Sequence, residues 1–252
     1  MTTATPAPRI TSTRIEPEPY RNHARVAGVF YLVTFVSIPT LALYEPVKEA
    51  GYIVGAGPDT AVLVGGALEF IVALACIGTA IALYPVVRRQ NEGFAMGFVG
   101  TRILEAGLIV VGVASLWTIV TLRQAGVGAD AQLTAQALVG MYDRVFLLSQ
   151  GTIPVFNALL LGTLLYRSRL VPRWMPVLGL IGAPLLLASN VGILFGLLDF
   201  PSPAATVAVI PIAAWEFSLG IYLVTKGFRP QATVELCTVT DDPIKVRAQP
   251  AT

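Results

Sequence analysis

The chain has 252 residues and a net charge of +2, with 55% hydrophobic and only 13% charged residues, which gives a mean hydropathy of +0.71. Soluble domains carry charge on about 25% of their residues, so this composition excludes a water-soluble globular protein. So small a net charge also gives no footing for a nucleic-acid partner.

Met1 to about Asn22 is polar and proline-rich, without the apolar density that offsets ordering entropy. Residues 1–23 therefore read as a disordered cytoplasmic tail. Six apolar runs follow, at about 26–44, 61–84, 96–121, 145–166, 174–197 and 205–225. Crossing ~30 Å of hydrocarbon takes ~20 helical residues, which is the length of such runs. They are continuous rather than alternating, so they predict helices and not the strands of an outer-membrane barrel. The fold class is all-α: a polytopic membrane protein, a bundle of six transmembrane helices over residues 24–228. The polar stretch 229–252 reads as a flexible cytoplasmic tail. The first run is too long for a signal-peptide core and no small-x-small cleavage site follows it, so it reads as an uncleaved helix.

Lys and Arg orient the chain. Arg14, Arg21 and Arg25 precede the first run, Arg88 and Arg89 follow the second, Arg167, Arg169 and Arg173 follow the fourth, and Lys226 and Arg229 follow the sixth. The alternate connectors hold only Lys48 and Arg123, beside Glu45, Glu49, Asp59, Asp130 and Asp199. The positive-inside bias then places both termini and the even connectors in the cytoplasm.

Chemistry is narrowed by exclusion. His23 is the one histidine, so the chain has no HExxH, no Cys/His metal set and no Ser-His-Asp triad. Neither a P-loop nor a strand-linked GxGxxG occurs. Cys76 lies inside a span and Cys237 in the tail, which does not make a disulfide framework. No catalytic residue, metal or cofactor is expected, and an intramembrane enzyme is a distant third reading.

Glu69, Arg102, Glu105 and Glu216 stand inside apolar runs. A charge at the bilayer centre costs ~2.5–3.5 kcal/mol on insertion scales, so such residues face the bundle interior. With Gln150 and Asn157 they are the candidates for binding a ligand or a proton. Arg102 and Glu105 are three apart and share a helix face. Glu69 shares a face with Gly65, Gly66 and Ala73, and Glu216 with Ala213 and Gly220, small residues that admit a neighbouring helix. Asp143, Gln150 and Asn157 recur every seven residues, a stripe that drifts only ~20° per step. Asn190 adds a further amide to the interior. The rise of ~1.5 Å per residue puts Glu69 and Glu216 near the midplane and overlaps them with Arg102, predicting one cluster. Three carboxylates around Arg102 would leave two negative charges uncompensated, unless protons, a cation or a polar ligand satisfy them.

Pro39, Pro154, Pro184 and Pro211 read as helix kinks, and Gly93-xxx-Gly97 and Gly192-xxx-Gly196 as close-packing motifs. Trp117, Trp174 and Trp215 read as belt or packing aromatics, with Trp174 the interfacial anchor. Arg102/Glu105 has no counterpart in the sixth run beyond Glu216, so no inverted repeat is detectable.

An ordered set of short segments carries a resemblance. Arg25-Val26-Ala27-Gly28-Val29-Phe30-Tyr31-Leu32 opens the first run, and Ala82-Leu83-Tyr84 closes the second. Arg102-Ile103-Leu104-Glu105-Ala106 follows, then Leu164-Leu165-Tyr166-Arg167-Ser168-Arg169-Leu170-Val171-Pro172, then Trp215-Glu216 through Thr225-Lys226-Gly227. Together, over residues 24–228, they resemble the bacterial membrane family known as domain of unknown function 4386. The resemblance implies a helical membrane protein and supplies no activity.

Two functional readings stand. In one, the Glu/Arg cluster binds or moves a small molecule or a proton. In the other, the protein is a non-transporting scaffold or interaction protein whose polar residues only pack helices. The partners expected are the bilayer and no nucleic acid; a small-molecule ligand is left open and no protein partner is named.

Overall fold

A computed structural model of the chain describes residues 20–241, with side chains through 236. Ten α-helices and no strand occur among the described residues: α1 (Arg21–Val33), α2 (Thr40–Leu43), α3 (Glu45–Lys48), α4 (Asp59–Val87), α5 (Glu92–Gln124), α6 (Gln132–Phe146), α7 (Ile153–Ser168), α8 (Trp174–Leu194), α9 (Pro203–Thr225) and α10 (Pro230–Asp241). Six stretches are long and apolar enough to cross a membrane: Arg21–Leu43, Asp59–Val87, Glu92–Gln124, Gly128–Ser168, Trp174–Leu194 and Pro203–Thr225. The six-helix reading is met.

Local chemistry sets several boundaries. The Asn91 side chain accepts from the Phe94 amide at 2.9 Å and starts α5; Ser202 does the same for the Ala205 amide at 3.3 Å and starts α9. Pro39 follows a short 3-10 turn, Thr34–Ser37, and breaks the first span, whereas Pro184 and Pro211 lie within continuous helices. The fourth span is longer than its apolar run, because helix continues outward through α6. Between α6 and α7 the chain takes a π-helical segment, Leu147–Thr152, in which the Thr152 hydroxyl also donates to the Leu147 carbonyl.

The spans close into a ring in chain order. The α1 helix packs on α4, α4 on α5, α5 on α6 and α7, α7 on α8, α8 on α9, and α9 returns to α1. Glycine permits the tightest crossings: a Cβ on Gly28 would meet the Gly220 carbonyl at 2.7 Å, and one on Gly182 the Ile212 amide at 3.0 Å. Gly192 and Gly196 do not form the expected helix-packing pair. Gly196 lies past the end of α8 at φ +70°, and Gly192 faces Leu198 in the following loop. Trp215 is fully buried over Gly179, and Trp174 is exposed.

The two ends of the ring differ in charge. At one end Arg89 lies over the Tyr20 ring at 5.7 Å, and the Arg229 amide donates to the Leu170 carbonyl at 2.9 Å. At the other, Arg123 forms a bidentate ion pair with Asp59 and donates to the Gly55 carbonyl. Tyr52 donates to the same carboxylate at 2.6 Å; burial and that carboxylate push its phenol above the usual range.

The segment from 229, expected to be a flexible tail, is helical over Pro230–Asp241, and Ala232 is buried against the core with Phe228. Its few apolar residues find a surface to cover, which composition alone does not reveal. Arg21 to His23, read as the end of the N-terminal tail, form the first turn of α1. The rest of both expected tails, residues 1–19 and 242–252, lies outside the described residues.

Candidate functional site

Arg102 occupies the axis of the ring. It is 1% exposed, the only buried cation among the described residues, and its guanidinium meets groups from four spans, with a fifth joined through Glu105. Nη1 donates to Glu105 on its own helix at 3.0 Å and approaches the Cys76 sulfur of α4 at 3.6 Å. Nη2 donates to Glu216 of α9 at 3.3 Å. The guanidinium carbon lies 5.1 Å from the Tyr31 ring centre of α1 and 5.7 Å from that of Phe98. Asn157 of α7 completes the group by donating to Glu105 at 2.7 Å while accepting from Thr101 at 2.5 Å. Glu105 thus accepts from two donors on one oxygen and is held tightly. Glu216 has one longer bond and keeps 15% of its side chain exposed, making it the looser carboxylate.

Glu69 is not in this cluster. Seven residues separate it from Cys76 on α4, about 10 Å along the helix axis. It is 1% exposed and accepts from the Tyr142 hydroxyl at 2.9 Å and from Gln150 at 3.3 Å. Tyr44 stacks edge-on against Tyr142, with ring centres 5.3 Å apart, and its buried hydroxyl faces the same carboxylate. No buried cation accompanies Glu69; Lys48, 5.1 Å above the Tyr142 ring, pairs instead with Asp143 at 2.6 Å in an exposed bridge. The single cluster expected from helix depth is therefore two networks at different levels.

The heptad stripe of the fourth span is also divided. Asp143 faces outward to Lys48, Gln150 reaches Glu69, and Asn157 reaches Glu105. The π-helical segment supplies the reason. A π-bulge inserts about one residue into the helical register, so Tyr142 and Gln150, eight apart, align as if seven apart. Tyr142 and not Asp143 becomes the partner of Gln150 around Glu69.

The chain belongs to the family described as domain of unknown function (DUF4386). The family model matches residues 26–227. That range holds both networks, from Tyr31 of the Arg102 axis to Glu216. No curated protein and no solved structure matches the chain. The DUF4386 description names no activity, so the chemistry of the site rests on its geometry. Among the described residues no group of three or more His, Cys, Asp or Glu is placed to hold a metal ion.

Proposed function

We propose that this protein takes up and releases a proton or a small cation at its buried carboxylates. One observation carries the reading: one buried guanidinium faces two carboxylates, while a third, Glu69, is held by neutral donors alone. One negative charge at Arg102 and one at Glu69 then lack a buried counter-charge. Isolated charge in a low-dielectric interior is costly, and a proton or a desolvated cation balances it. Glu216, with its single longer bond, is the exchangeable member at Arg102; Glu105 is the fixed one. The basic end of the ring, with both chain termini, faces the cytoplasm of a bacterial inner membrane in this reading.

The test is infrared difference spectroscopy of the protein reconstituted in liposomes, stepped in pH and in sodium or potassium. A carboxyl carbonyl band that rises on acidification or falls on cation addition, and disappears in Glu216→Gln or Glu69→Gln, supports the proposal. Bands insensitive to both would overturn it.

A second reading has its own observation. The carboxylates of both networks are bonded by side chains of other spans, and the grooves beside Tyr52 and beside Arg144 are lined by other residues. On that reading the networks only hold helices together, in bonds worth ~1 kcal/mol each.

A further inference from the structure

A groove of about 190 Å³ runs along the bundle surface between the fourth and fifth spans, away from both carboxylate networks. It is lined by Arg144, Leu147, Leu148, Thr152, Leu187, Asn190, Val191 and Leu194. We propose that this groove is a binding site for an anionic phospholipid of the outer leaflet, independent of the proton or cation chemistry above.

Three observations specify the occupant. First, charge: the cations at the non-basic end of the ring are Lys48, Arg123 and Arg144. Lys48 is paired with Asp143 and Arg123 with Asp59. Arg144 is exposed and has no ion pair or hydrogen bond from its side chain among the described residues. A guanidinium at the headgroup level without a protein acid suits a phosphate, which it binds through two parallel N–H donors. Second, an orphan donor: Asn190 lines the groove at 6% exposure, and its amide nitrogen has no partner among the described residues. A buried amide left unpaired is costly. It is held against the π-helical backbone, its nitrogen 3.1 Å from where a Cβ on Gly151 would lie. Third, depth: Thr152 is eight residues further into the membrane than Arg144, about 12 Å by helical rise. Leucines and valine clothe that length.

The three map onto a phospholipid in order. Its phosphate meets Arg144, an ester carbonyl one level down accepts from the Asn190 amide, and an acyl chain lies along Leu147, Leu148, Leu187 and Val191. A free phosphate would satisfy the first contact only. The π-helical segment joins this groove to the rest of the molecule, because the same six residues carry Gln150 to Glu69 on the opposite side.

Native mass spectrometry of the detergent-purified full chain tests the assignment, with phosphatidylglycerol and phosphatidylcholine of identical acyl chains as probes. Wild type should retain phosphatidylglycerol at least ~5-fold over phosphatidylcholine, a difference of ~1 kcal/mol at the conversion of 1.4 kcal/mol per tenfold. Arg144→Gln should abolish that ratio while still binding both lipids weakly, and Arg144→Lys should keep part of it. Asn190→Leu should weaken both lipids equally. Inorganic phosphate in millimolar excess should displace neither. A ratio near one in wild type, or an unchanged ratio in Arg144→Gln, would overturn the proposal; so would displacement by phosphate alone. Arg144 is exposed, so its variants should melt with wild type, and loss of binding then reports the site and not the fold.

Discussion

The Arg102 and Glu69 networks solve the same problem in opposite ways. Each buries a carboxylate inside the bundle, Glu105 at 5% exposure and Glu69 at 1%. At Arg102 the negative charge is met by a cation that reaches across the ring and draws in five spans. At Glu69 it is met by a phenol and an amide, and a helical irregularity delivers the amide. A network built on a charge pair fails when either partner is neutralised. One built on neutral donors needs only an acceptor, charged or not.

The largest effect expected follows from that difference. Arg102→Leu leaves Glu105 and Glu216 without a positive partner, and breaking a buried pair typically costs ~3–5 kcal/mol, an upper guide in a bilayer. Its thermal stability in detergent should fall well below that of Arg102→Lys. Adding Glu105→Gln to Arg102→Leu should recover part of the loss; purely additive losses would dissolve the pairing at the axis. Next in size, Glu69→Leu strands the Tyr142 hydroxyl and the Gln150 amide, at ~1–3 kcal/mol. Glu69→Gln keeps an acceptor for both and should melt close to wild type. Glu105→Gln, by contrast, should lose stability, and equal costs for the two Gln variants would erase the comparison between the networks. Smaller still, Tyr142→Phe should cost ~0.5–1.5 kcal/mol and combine additively, within ~0.5 kcal/mol, with Arg102→Lys. A larger coupling would show the networks to be one. The last measurement moves no stability. With Cys76 and Cys237 replaced, a single cysteine at Lys48 should label with an impermeant thiol reagent in intact cells, and one at Arg88 or Arg169 should not. Labelling at either basic connector would reverse the orientation and put Glu69 nearer the cytoplasm.

Legibility in the sequence tracked charge. Arg102 and Glu105 were readable as a pair because the helical period places residues three apart on one face, and the structure joins them at 3.0 Å. Glu216 was readable as interior, and its small neighbours indeed admit a helix: Gly220 lies against Tyr31 and Leu32 of α1. Glu69 is readable as buried, but helix depth alone groups it with Arg102, whereas its partners are Tyr142 and Gln150. Tyr142 and Tyr44 are not legible as partners, since a tyrosine in an apolar run has the pattern of an aromatic packing residue and only the fold sets a carboxylate beside its hydroxyl.

What the sequence by itself determined is the class, the number of spans and the burial of its charges. Each of these follows from a local cost: apolar length against hydrocarbon thickness, and charge against lipid. What only the tertiary structure decided is who meets whom. The closure of α9 on α1 sets Glu216 opposite Arg102, and the extra residue of Leu147–Thr152 turns Gln150 and Tyr142 onto Glu69. Ring closure joins residues more than a hundred positions apart, and a register shift of one residue rotates a side chain by about 100°, a quarter-turn and more that the periodicity of an ideal helix does not contain.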